Sequence, residues 1–449
     1  MATTAHSVQT VCETIWQAER ELALLDWQVQ GVYAWQCLRF ETYMRLAAAV
    51  GVFGAGAVPR RRGLEQARLA LDLARGLVRR DPFTFTGRVD AIIVESARST
   101  EVDGVRVCPY TGPLSRTLSA RGQHLLLLEQ GQGRPHVKTP DRRRRYCDGI
   151  ELVAAGRMHL WPARLDRAAS VRAQDLERFF LDRIGVHLAV AERVRGCLAS
   201  FATARVLYRA LLRRHRPRTV YCVCAYGSAL APMISAAREL GIESVELQHG
   251  VISRYHMGYS YPVLPSAGRL AYGPDKLYAW GSPWDELMRA DLAPELWNVV
   301  TYGFPHFEQR KARYAGVPKI AGRVLVLSQT VLTDRLAETV LAALPALGGR
   351  EIVYKLHPGE YSSWHRHVSL VRLSQQSNVR IVTDADLYQL MAEAEVQVGV
   401  FSTALYEGLA FGCKTVLVPL PGCEYVQGLL ERGLAISWDT FMRGHGGPG

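Results

Sequence analysis

The sequence lacks the N-terminal features of exported and membrane-spanning proteins. Residues 1–16 have neither the basic start nor the apolar core of a signal peptide. An uncharged stretch at 46–58 has 13 residues before Pro59 and three arginines, whereas a spanning helix needs about 20. Two interpretations of this stretch stay open: a buried helix with its loop, or peripheral attachment with the arginines on lipid phosphates. We therefore expect a cytoplasmic protein, with contact at the inner face of the membrane as the alternative.

Metal-binding spacing is lacking as well. The nine cysteines are scattered, and no second cysteine or histidine pair follows Cys222 and Cys224. Such a pattern favours reduced thiols in a cytosolic protein over a zinc site. Asp384 and Asp386 form a metal-type Asp-x-Asp pair, but they stand where a strand meets a helix, which favours helix capping. We predict that the protein requires no metal and no bound cofactor.

Composition places the chain among globular proteins of two domains. Its 449 residues exceed one ordinary core, and 48% hydrophobic with 21% charged residues is typical of a folded protein. The net charge of +12 favours anionic partners such as nucleotide phosphates or anionic lipids. Nucleic acid is not expected, because the arginine clusters at 59–62 and 142–145 lie away from the strand-end motifs and no nucleic-acid-binding module is recognised.

Strands and helices are predicted to alternate along most of the chain. Aliphatic runs of the kind that parallel sheets bury begin at 89–96 and 124–129. Helical spacing marks 64–80 and a long helix over 176–215, with breaks expected near Gly185 and Gly196. Further strands are predicted at 219–225, 243–250, 275–281, 298–305, 323–329, 351–357, 379–384, 396–402 and 414–420.

This alternation predicts an α/β protein of two doubly wound, Rossmann-like domains that face each other across a cleft. A polar, basic stretch at 306–322 is interpreted as linker. We assign 1–308 to the N-terminal domain, with a helical extension over about 1–85, then 309–322 to the linker and 323–449 to the C-terminal domain. Ligands bind such folds at the carboxyl ends of the strands, where the distinctive motifs of this sequence lie.

Two motifs in the second domain suit an anionic ligand. In KLHPGE, Lys355 and His357 come to a strand end before Pro358 starts a turn, and the imidazole can donate a hydrogen bond to a phosphate oxygen. In FSTALYEG, Ser402 and Thr403 stand where a helix begins. The free N–H groups of that helix and the two hydroxyls are predicted to form an anion site.

Two more residues complete the predicted nucleotide-binding set. Glu407 lies one helical turn beyond Thr403 on the same face, where a carboxylate can accept both hydroxyls of a ribose. Ser328 lies near the end of the strand predicted at 323–329. The alternative is that Ser402 or Thr403 is only a helix cap and Glu407 a solvated charge.

The pairs His357-Pro358 and Ser402-Thr403 resemble the His-Pro and Ser-Ser/Thr motifs of bacterial sialyltransferases and polysialyltransferases, and of CDP-glycerol glycerophosphotransferases. These families have a two-domain fold of the glycosyltransferase-B type and use CMP- or CDP-activated donors. The resemblance covers residues 219–432. It implies that His357, Ser402 and Thr403 hold the donor phosphates and that a helix-borne glutamate, here Glu407, binds the donor ribose.

In the first domain, the motif LQHG is similar to the Trp-His-Gly motif of the glycerophosphotransferases, whose histidine is a proposed catalytic base. Gln248 replaces the tryptophan here. His249, at a strand end before Gly250, is expected to face the cleft, and the usual histidine pKa suits proton removal from an acceptor hydroxyl. The alternative is a core histidine tied to a backbone carbonyl. Gln248, Gly250, His256 and Tyr259 are expected to bind the acceptor, with loop packing as the alternative for the tyrosine.

A carboxylate is the alternative base. Sialyltransferases carry a paired acidic motif before a glycine in the first domain, where this sequence has only Asp103 before Gly104. Glu95, at the end of the first clear strand, is a second candidate that is expected to face the cleft. The choice between His249 and a carboxylate stays open.

Together these features predict an inverting, metal-independent glycosyltransferase that uses a CMP-, CDP- or UDP-linked sugar to extend a bacterial surface or capsular polysaccharide. The first domain is then expected to bind a carbohydrate or lipid-linked carbohydrate acceptor, and the second the nucleotide donor, with His357 stabilising the departing phosphate. The alternatives are a CDP-glycerol-type glycerophosphotransferase, a nucleotide-sugar epimerase of the same fold, and a non-enzymatic polysaccharide- or nucleic-acid-binding protein.

Overall fold

Two parallel β-sheets organise the chain in the computed structural model. The structure describes residues 6–53, 76–77, 79–96, 100–102, 105–130, 136, 141–282 and 284–444. One sheet has seven strands and the other has six. Helices cover both faces of each sheet, which confirms the predicted fold class of two doubly wound domains.

The N-terminal extension consists of helix α1 (Val8–Glu21), a hairpin of β1 (Gln28–Val29) and β2 (Val32–Tyr33), and helix α2 (Ala34–Ala49). A buried ion pair ties the two helices, because Glu19 on α1 accepts a hydrogen bond of 2.5 Å from Arg39 on α2. Residues 54–75, which hold the first arginine cluster and most of the predicted helix at 64–80, lie outside the described residues.

The N-terminal sheet begins after this extension. Its chain segments are β3 (Ala91–Glu95), a separate hairpin of β4 (Thr100–Val102) and β5 (Val105–Val107), then β6 (Leu125–Glu129), β7 (Arg144–Tyr146), β8 (Thr219–Cys222), β9 (Glu243–Leu247), β10 (Lys276–Ala279) and β11 (Val299–Thr301). The sheet order is β11-β10-β9-β8-β3-β6-β7, and every neighbouring pair is parallel. Strands β6 and β7 are added on one side of β3, and β8 to β11 are added on the other. The order of strand addition therefore reverses between β3 and β8, where such sheets leave a crevice.

Helices cover both faces of this sheet. They are α3 (Thr111–Ala120), α4 (Asp148–Leu160), α5 (Arg167–Ile184), α6 (Val190–His215), α7 (Ala231–Glu239), α8 (Trp284–Asp291) and α9 (Pro305–Ala312). One face of the sheet packs Ile92 and Val94 against α4, α6 and α7. The other packs Ile93 against Leu114 and Leu118 of α3. The alternation of buried side chains between the two faces is what a fully covered parallel sheet requires.

The C-terminal sheet has the order β14-β13-β12-β15-β16-β17, with every neighbouring pair parallel. Its strands are β12 (Ile320–Leu327), β13 (Ile352–Lys355), β14 (Val379–Val382), β15 (Ala394–Gly399), β16 (Lys414–Leu417) and β17 (Ala435–Ser437). The helices are α10 (Thr333–Ala343), α11 (Val368–Ser374), α12 (Leu387–Glu393), α13 (Ala404–Ala410), α14 (Gln427–Glu431) and α15 (Trp438–Arg443). Its switch point lies between β12 and β15.

The two domains touch directly. The rings of Trp284 on α8 and Tyr406 on α13 are 4.7 Å apart between centroids. Arg254 of the first domain donates to Glu431 of the second at 2.8 Å. The extension joins this contact, since the backbone N–H of Val8 donates to Glu424 at 3.2 Å. Since α8 follows β10 and α13 follows β15, the carboxyl ends of the two sheets face each other at this boundary, which we call the cleft.

Two local expectations need correction. The stretch interpreted as linker is partly regular, because α9 runs to residue 312 and β12 starts at residue 320. The long helix does end at Gly185, which adopts the left-handed conformation, but α6 continues through Gly196. Gly196 makes room for Met158 of α4 instead, since an added β-carbon would lie 3.1 Å from its Cγ.

Candidate active site

The predicted donor motifs come together at the switch point of the C-terminal sheet. Strand β12 lies between β13 and β15, and all three are parallel, so the residues that follow them meet at one edge. Ser328 follows β12, His357 follows β13 and Ser402 follows β15. The sequence placed these residues at strand ends, and the topology makes them neighbours.

The turn after β13 holds His357 in one tautomer. The backbone N–H of Gly359 donates to Nδ1 of His357 at 3.1 Å, and the hydroxyl of Thr330 is 2.9 Å from the same nitrogen. Because Nδ1 accepts a hydrogen bond from an amide, the proton of the neutral ring is on Nε2. The side chain is exposed at the cleft edge, and Pro358 starts the short 3₁₀ turn that positions it. Such a ring is a hydrogen-bond donor suited to a phosphate oxygen.

Two other residues predicted for the donor site, Ser328 and Lys355, are buried and hydrogen-bonded within the C-terminal domain. The Ser328 hydroxyl donates to Glu360 at 2.9 Å and is buried. The Lys355 amino group is also buried and donates to the carbonyl of Thr383 at 2.6 Å. Both groups hold loops in place, so we remove them from the candidate ligand-binding set.

The segment after β15 faces the first domain. Ser402 accepts from the backbone N–H of Ala404 at 3.2 Å, and Thr403 is the residue before α13 and caps it without a side-chain hydrogen bond. An added β-carbon at Gly250 would lie 3.5 Å from the Thr403 hydroxyl oxygen. The LQHG and FST motifs, about 150 residues apart in the chain, therefore meet across the domain boundary.

Glu407 lies on the inner side of α13. Burial raises the pKa of its carboxyl to about 7, and the hydrogen bond from Tyr388 lowers it. The Tyr388 hydroxyl is 3.4 Å from Oε1. This carboxyl is a partly buried hydrogen-bonding group beside the cleft, a position that suits contact with ribose hydroxyls.

In the first domain, His249 lies in a group of tyrosines. It is 6% exposed. Its Nε2 is 3.3 Å from the Tyr226 hydroxyl and its Nδ1 is 3.4 Å from the Tyr259 hydroxyl. Tyr110 stands edge-on to the imidazole, with ring centroids 6.2 Å apart. The hydroxyls of Tyr226 and Tyr259 are thus partners of the two ring nitrogens of His249.

A carboxyl that the sequence analysis missed lies behind these tyrosines. Glu246, on β9, is fully buried and accepts from the Tyr259 hydroxyl at 2.5 Å and from the backbone N–H of Ala225 at 2.9 Å. Its Oε2 is buried and has no hydrogen bond of ordinary geometry among the described residues. Burial raises the pKa of Glu246 to about 7, while the hydrogen bonds from Tyr259 and the backbone lower it. A carboxyl near the end of a strand that was predicted to be buried was the available signal.

The three groups form a chain of proton donors and acceptors. Since the Tyr259 hydroxyl donates to Glu246, its oxygen is left to accept from Nδ1–H of His249. The lone pair of the neutral ring is then on Nε2, beside Tyr226. Ionised Glu246 would stabilise a proton taken up by His249 through Tyr259.

A strained loop places Tyr226. The segment after β8 turns at Cys224, whose φ of 60° is in the left-handed region, and at Gly227, whose φ is 95°. A non-glycine residue in that region costs on the order of 1 kcal/mol or more and is common at functional sites. The loop leaves Tyr226 partly exposed over His249.

The neighbours of His249 predicted for the acceptor site have structural roles. Gln248 accepts from the backbone N–H of Trp280 at 2.9 Å and donates to the carbonyl of Gly250 at 3.1 Å. His256 accepts from the backbone N–H of Gly258 at 3.2 Å, and burial lowers the pKa of its imidazole to about 4. A small cavity of about 10 Å³ lies beside Gly250 at the domain boundary.

The alternative base Glu95 belongs to a separate buried charge cluster. Arg144 pairs with Glu95 and, at 2.9 Å, with Glu129. Glu129 in turn contacts His136 at 3.0 Å. Burial raises the pKa of Glu95 to about 7, and Arg144 lowers it. Its ion pair makes Glu95 a weaker candidate base than His249, and the other carboxylate, Asp103, lies outside the described residues.

Neither a metal-binding cluster nor a membrane-spanning helix is found among the described residues. Among the described residues, no group of three or more His, Cys, Asp or Glu side chains could hold a metal ion. Asp386 accepts from the backbone N–H of Tyr388 at 2.9 Å and caps α12, as the sequence predicted. No helix in the described part of the chain is both long and apolar enough to span a membrane.

Comparison with known proteins does not assign the chain to a family. No protein-family model matches the chain, and no curated protein is similar to it in sequence. Among solved structures, UDP-GlcNAc 2-epimerase from Methanocaldococcus jannaschii has a TM-score of 0.42 at 11% identity, over 77% of this chain and 88% of that one. MurG from Acinetobacter baumannii has a TM-score of 0.42 at 13% identity, over 78% and 86%. A Streptomyces glycosyltransferase has a TM-score of 0.39 at 16% identity, over 79% and 89%. Likenesses at this level do not identify the reaction of this chain.

Proposed function

We propose that the chain is an inverting, metal-independent glycosyltransferase of bacterial surface or capsular polysaccharide synthesis. The observation that carries the proposal is the meeting of two motifs at the domain boundary, where Gly250 approaches Thr403. On one side is His249 with its link to a buried carboxyl through Tyr259. On the other are hydroxyls and an imidazole suited to a nucleotide phosphate. A base and a leaving-group site on opposite walls of a cleft are the parts that sugar transfer needs.

The donor is a sugar linked to CMP, CDP or UDP. His357 donates from Nε2 to a phosphate oxygen, because its Nδ1 is occupied by the amide of Gly359. Ser402 and Thr403 supply hydroxyls to the same phosphates, and Glu407 accepts from the ribose. These contacts stabilise the charge that develops on the departing phosphate.

The acceptor is a carbohydrate or a lipid-linked carbohydrate, and His249 is the base. Its Nε2 takes the proton of the acceptor hydroxyl while the oxygen attacks the anomeric carbon. The bond from that carbon to the nucleotide phosphate breaks, and the phosphate leaves with the electron pair. A single displacement inverts the anomeric configuration. Glu246, through Tyr259, stabilises the protonated His249.

The other functions of this fold are the alternatives in any test. A glycerophosphotransferase would transfer a phosphate-bearing group with the same base and would be recognised by a CDP-glycerol requirement. An epimerase needs carboxylates around the sugar and no polymeric acceptor. Contact with an anionic membrane is compatible with a lipid-linked acceptor.

The donor side is tested by nucleotide affinity. Titration calorimetry with CMP, CDP and UDP should find binding, and His357→Ala should weaken it by about 1.5–3 kcal/mol, the scale of a hydrogen bond to a charged group. His365→Ala is the matched control, since it removes an exposed histidine nearby. Equal affinity in the wild type and His357→Ala would remove His357 from the donor site.

The reaction itself is tested by release of free nucleotide. A glycosyltransferase releases nucleotide with a donor and an acceptor together, whereas an epimerase interconverts sugar nucleotides without any acceptor. Conversion without acceptor, or no turnover with any nucleotide sugar in the presence of polysaccharide acceptors, would contradict the proposal.

A further inference from the structure

Helix α4 presents apolar side chains to solvent. Leu152 is 43% exposed, Val153 is 54%, Leu160 is 67% and Trp161, directly after the helix, is 63%. Because each residue of an α-helix advances about 100°, Leu152, Val153 and Leu160 fall within one sector of about that width. We name these four residues the α4 face. Their exposed area is on the order of 400 Å², which is the size of the largest apolar patch on a typical monomeric protein, a patch that is often functional.

The orientation of α4 is fixed by its other side. Ile150 is 2% exposed and Ala154 is 8%, and both pack in the core under the N-terminal sheet. Met158 reaches Gly196 of α6, where an added β-carbon would lie 3.1 Å from its Cγ. The helix therefore has a packed core-facing side, and the α4 face cannot turn inward without losing that packing.

Arginines are frequent in the segment that carries the α4 face. Between residues 151 and 167 the sequence has three arginines and two acidic residues, Glu151 and Asp166. Arg157, Arg164 and Arg167 are exposed. The guanidinium of Arg157 is 5.9 Å from the centroid of the Trp161 ring and donates to the Trp161 carbonyl at 2.5 Å. A segment with an exposed tryptophan, exposed aliphatic side chains and exposed arginines has the composition that favours the interface of an anionic bilayer.

We propose that the α4 face docks on an anionic lipid membrane. A second copy of the chain is a poorer occupant, because the arginines of this segment would meet like charges across a two-fold axis. A patch on the order of 400 Å² is also about half of what each partner of a stable protein interface buries. A bilayer satisfies both features, since its acyl chains accept the apolar groups and its phosphates pair with the arginines.

This docking surface is on the domain that carries His249, since α4 follows β7 of the same sheet. It would hold the N-terminal domain at the membrane, where a lipid-linked acceptor is found. The inference itself rests on α4 and its arginines and does not depend on the reaction proposed for the cleft.

Vesicle co-sedimentation tests the proposal. The whole chain is mixed with vesicles of phosphatidylcholine alone or with about 30% phosphatidylglycerol, a composition that carries the negative surface charge of anionic membranes. Leu160→Gln with Trp161→Gln should weaken binding to the anionic vesicles at least about tenfold, because two exposed apolar groups are lost. Val368→Gln is the matched control, since Val368 is 71% exposed on the other domain.

The expected result is binding to anionic vesicles that falls with salt, is lost in the double variant and is kept in the control. Nucleotide affinity measured on the same double variant should be unchanged, which separates this surface from the cleft. The proposal is overturned if the wild type does not bind anionic vesicles or if the double variant binds as well as the wild type. It is also overturned if the wild type is a dimer in sedimentation and the double variant is a monomer.

Discussion

Replacing Glu246 by glutamine should remove a pH dependence from the stability of the protein. Burial raises the pKa of this carboxyl from 4.5 to about 7. Below about pH 4.5 the group is protonated in both the folded and unfolded states, and above about pH 7 the folded state holds an ionised, buried carboxylate. The stability that the protonated group contributes is therefore present at low pH and is lost as pH rises through about 7. The full difference is about 3 kcal/mol, since one pKa unit corresponds to about 1.4 kcal/mol.

Urea unfolding at two pH values measures this contribution. Most of the difference, about 2–3 kcal/mol, falls between about pH 5 and pH 8. The gap in free energy of unfolding between Glu246→Gln and the wild type should therefore shift by that amount in favour of the variant as pH rises. Glutamine keeps an oxygen to accept from Tyr259 and the Ala225 amide, so the variant is expected to fold.

Glu243→Gln is the control for this experiment. Glu243 lies on the same strand but pairs at 2.5 Å with Lys276, and both side chains are more than a third exposed. An exposed pair contributes little to stability because solvent screens it, and no comparable change of stability with pH is expected. An equal gap between Glu246→Gln and the wild type at both pH values would refute the buried, titrating carboxyl and its role behind His249.

Two further substitutions test the framework around the site. Arg39→Met should lower the free energy of unfolding by about 3–5 kcal/mol, because it leaves the buried Glu19 without its ion pair. Arg45→Met, at an exposed pair, should change it by less than about 1 kcal/mol. Equal effects of the two substitutions in urea titration would contradict the buried pair. Gly258→Ala should cost about 1–3 kcal/mol, because its β-carbon would lie 2.6 Å from the Tyr226 ring. Wild-type stability and transfer in that variant would show that Tyr226 does not need its position over His249.

The fold was predictable because the strands of a covered parallel sheet have a recognisable pattern of apolar residues in the sequence. Strands buried on both faces are nearly continuous apolar runs, as in β3 and β6. Strand β7 was not predicted, because it consists of two arginines and a tyrosine and has no apolar run. Arg144 is buried there only because Glu95 and Glu129 pair with it, and those partners come from two other strands.

The candidate site was predictable where it depends on strand ends. His357 and Ser402 belong to loops that leave β13 and β15, the two parallel strands on either side of β12, so their positions at strand ends were enough to place them at the same edge of the sheet. Lys355 and Gln248 also stand at strand ends, but their partners come from elements distant in the chain, Thr383 and Trp280. Sequence position alone does not tell which strand-end side chain faces the cleft and which holds the fold.

The link behind His249 was not predictable from local pattern. Tyr259 is 13 residues from Glu246 and reaches it through a loop. Tyr259 was predicted in the wall of the acceptor site, whereas the Tyr259 hydroxyl donates to Glu246 within the same domain. Only the tertiary structure brings the carboxyl, the hydroxyl and the imidazole into one chain of contacts.

Transfer by His249→Ala is the measurement that tests the central claim most directly. Sugar transfer from the preferred nucleotide donor to acceptor is timed for the variant and the wild type, with nucleotide affinity measured on the same samples. If His249 is the base, transfer falls by about 100-fold or more, the usual scale of general-base catalysis, while nucleotide affinity is kept. Unchanged transfer with the same affinity would contradict the account and give the base role to a carboxylate.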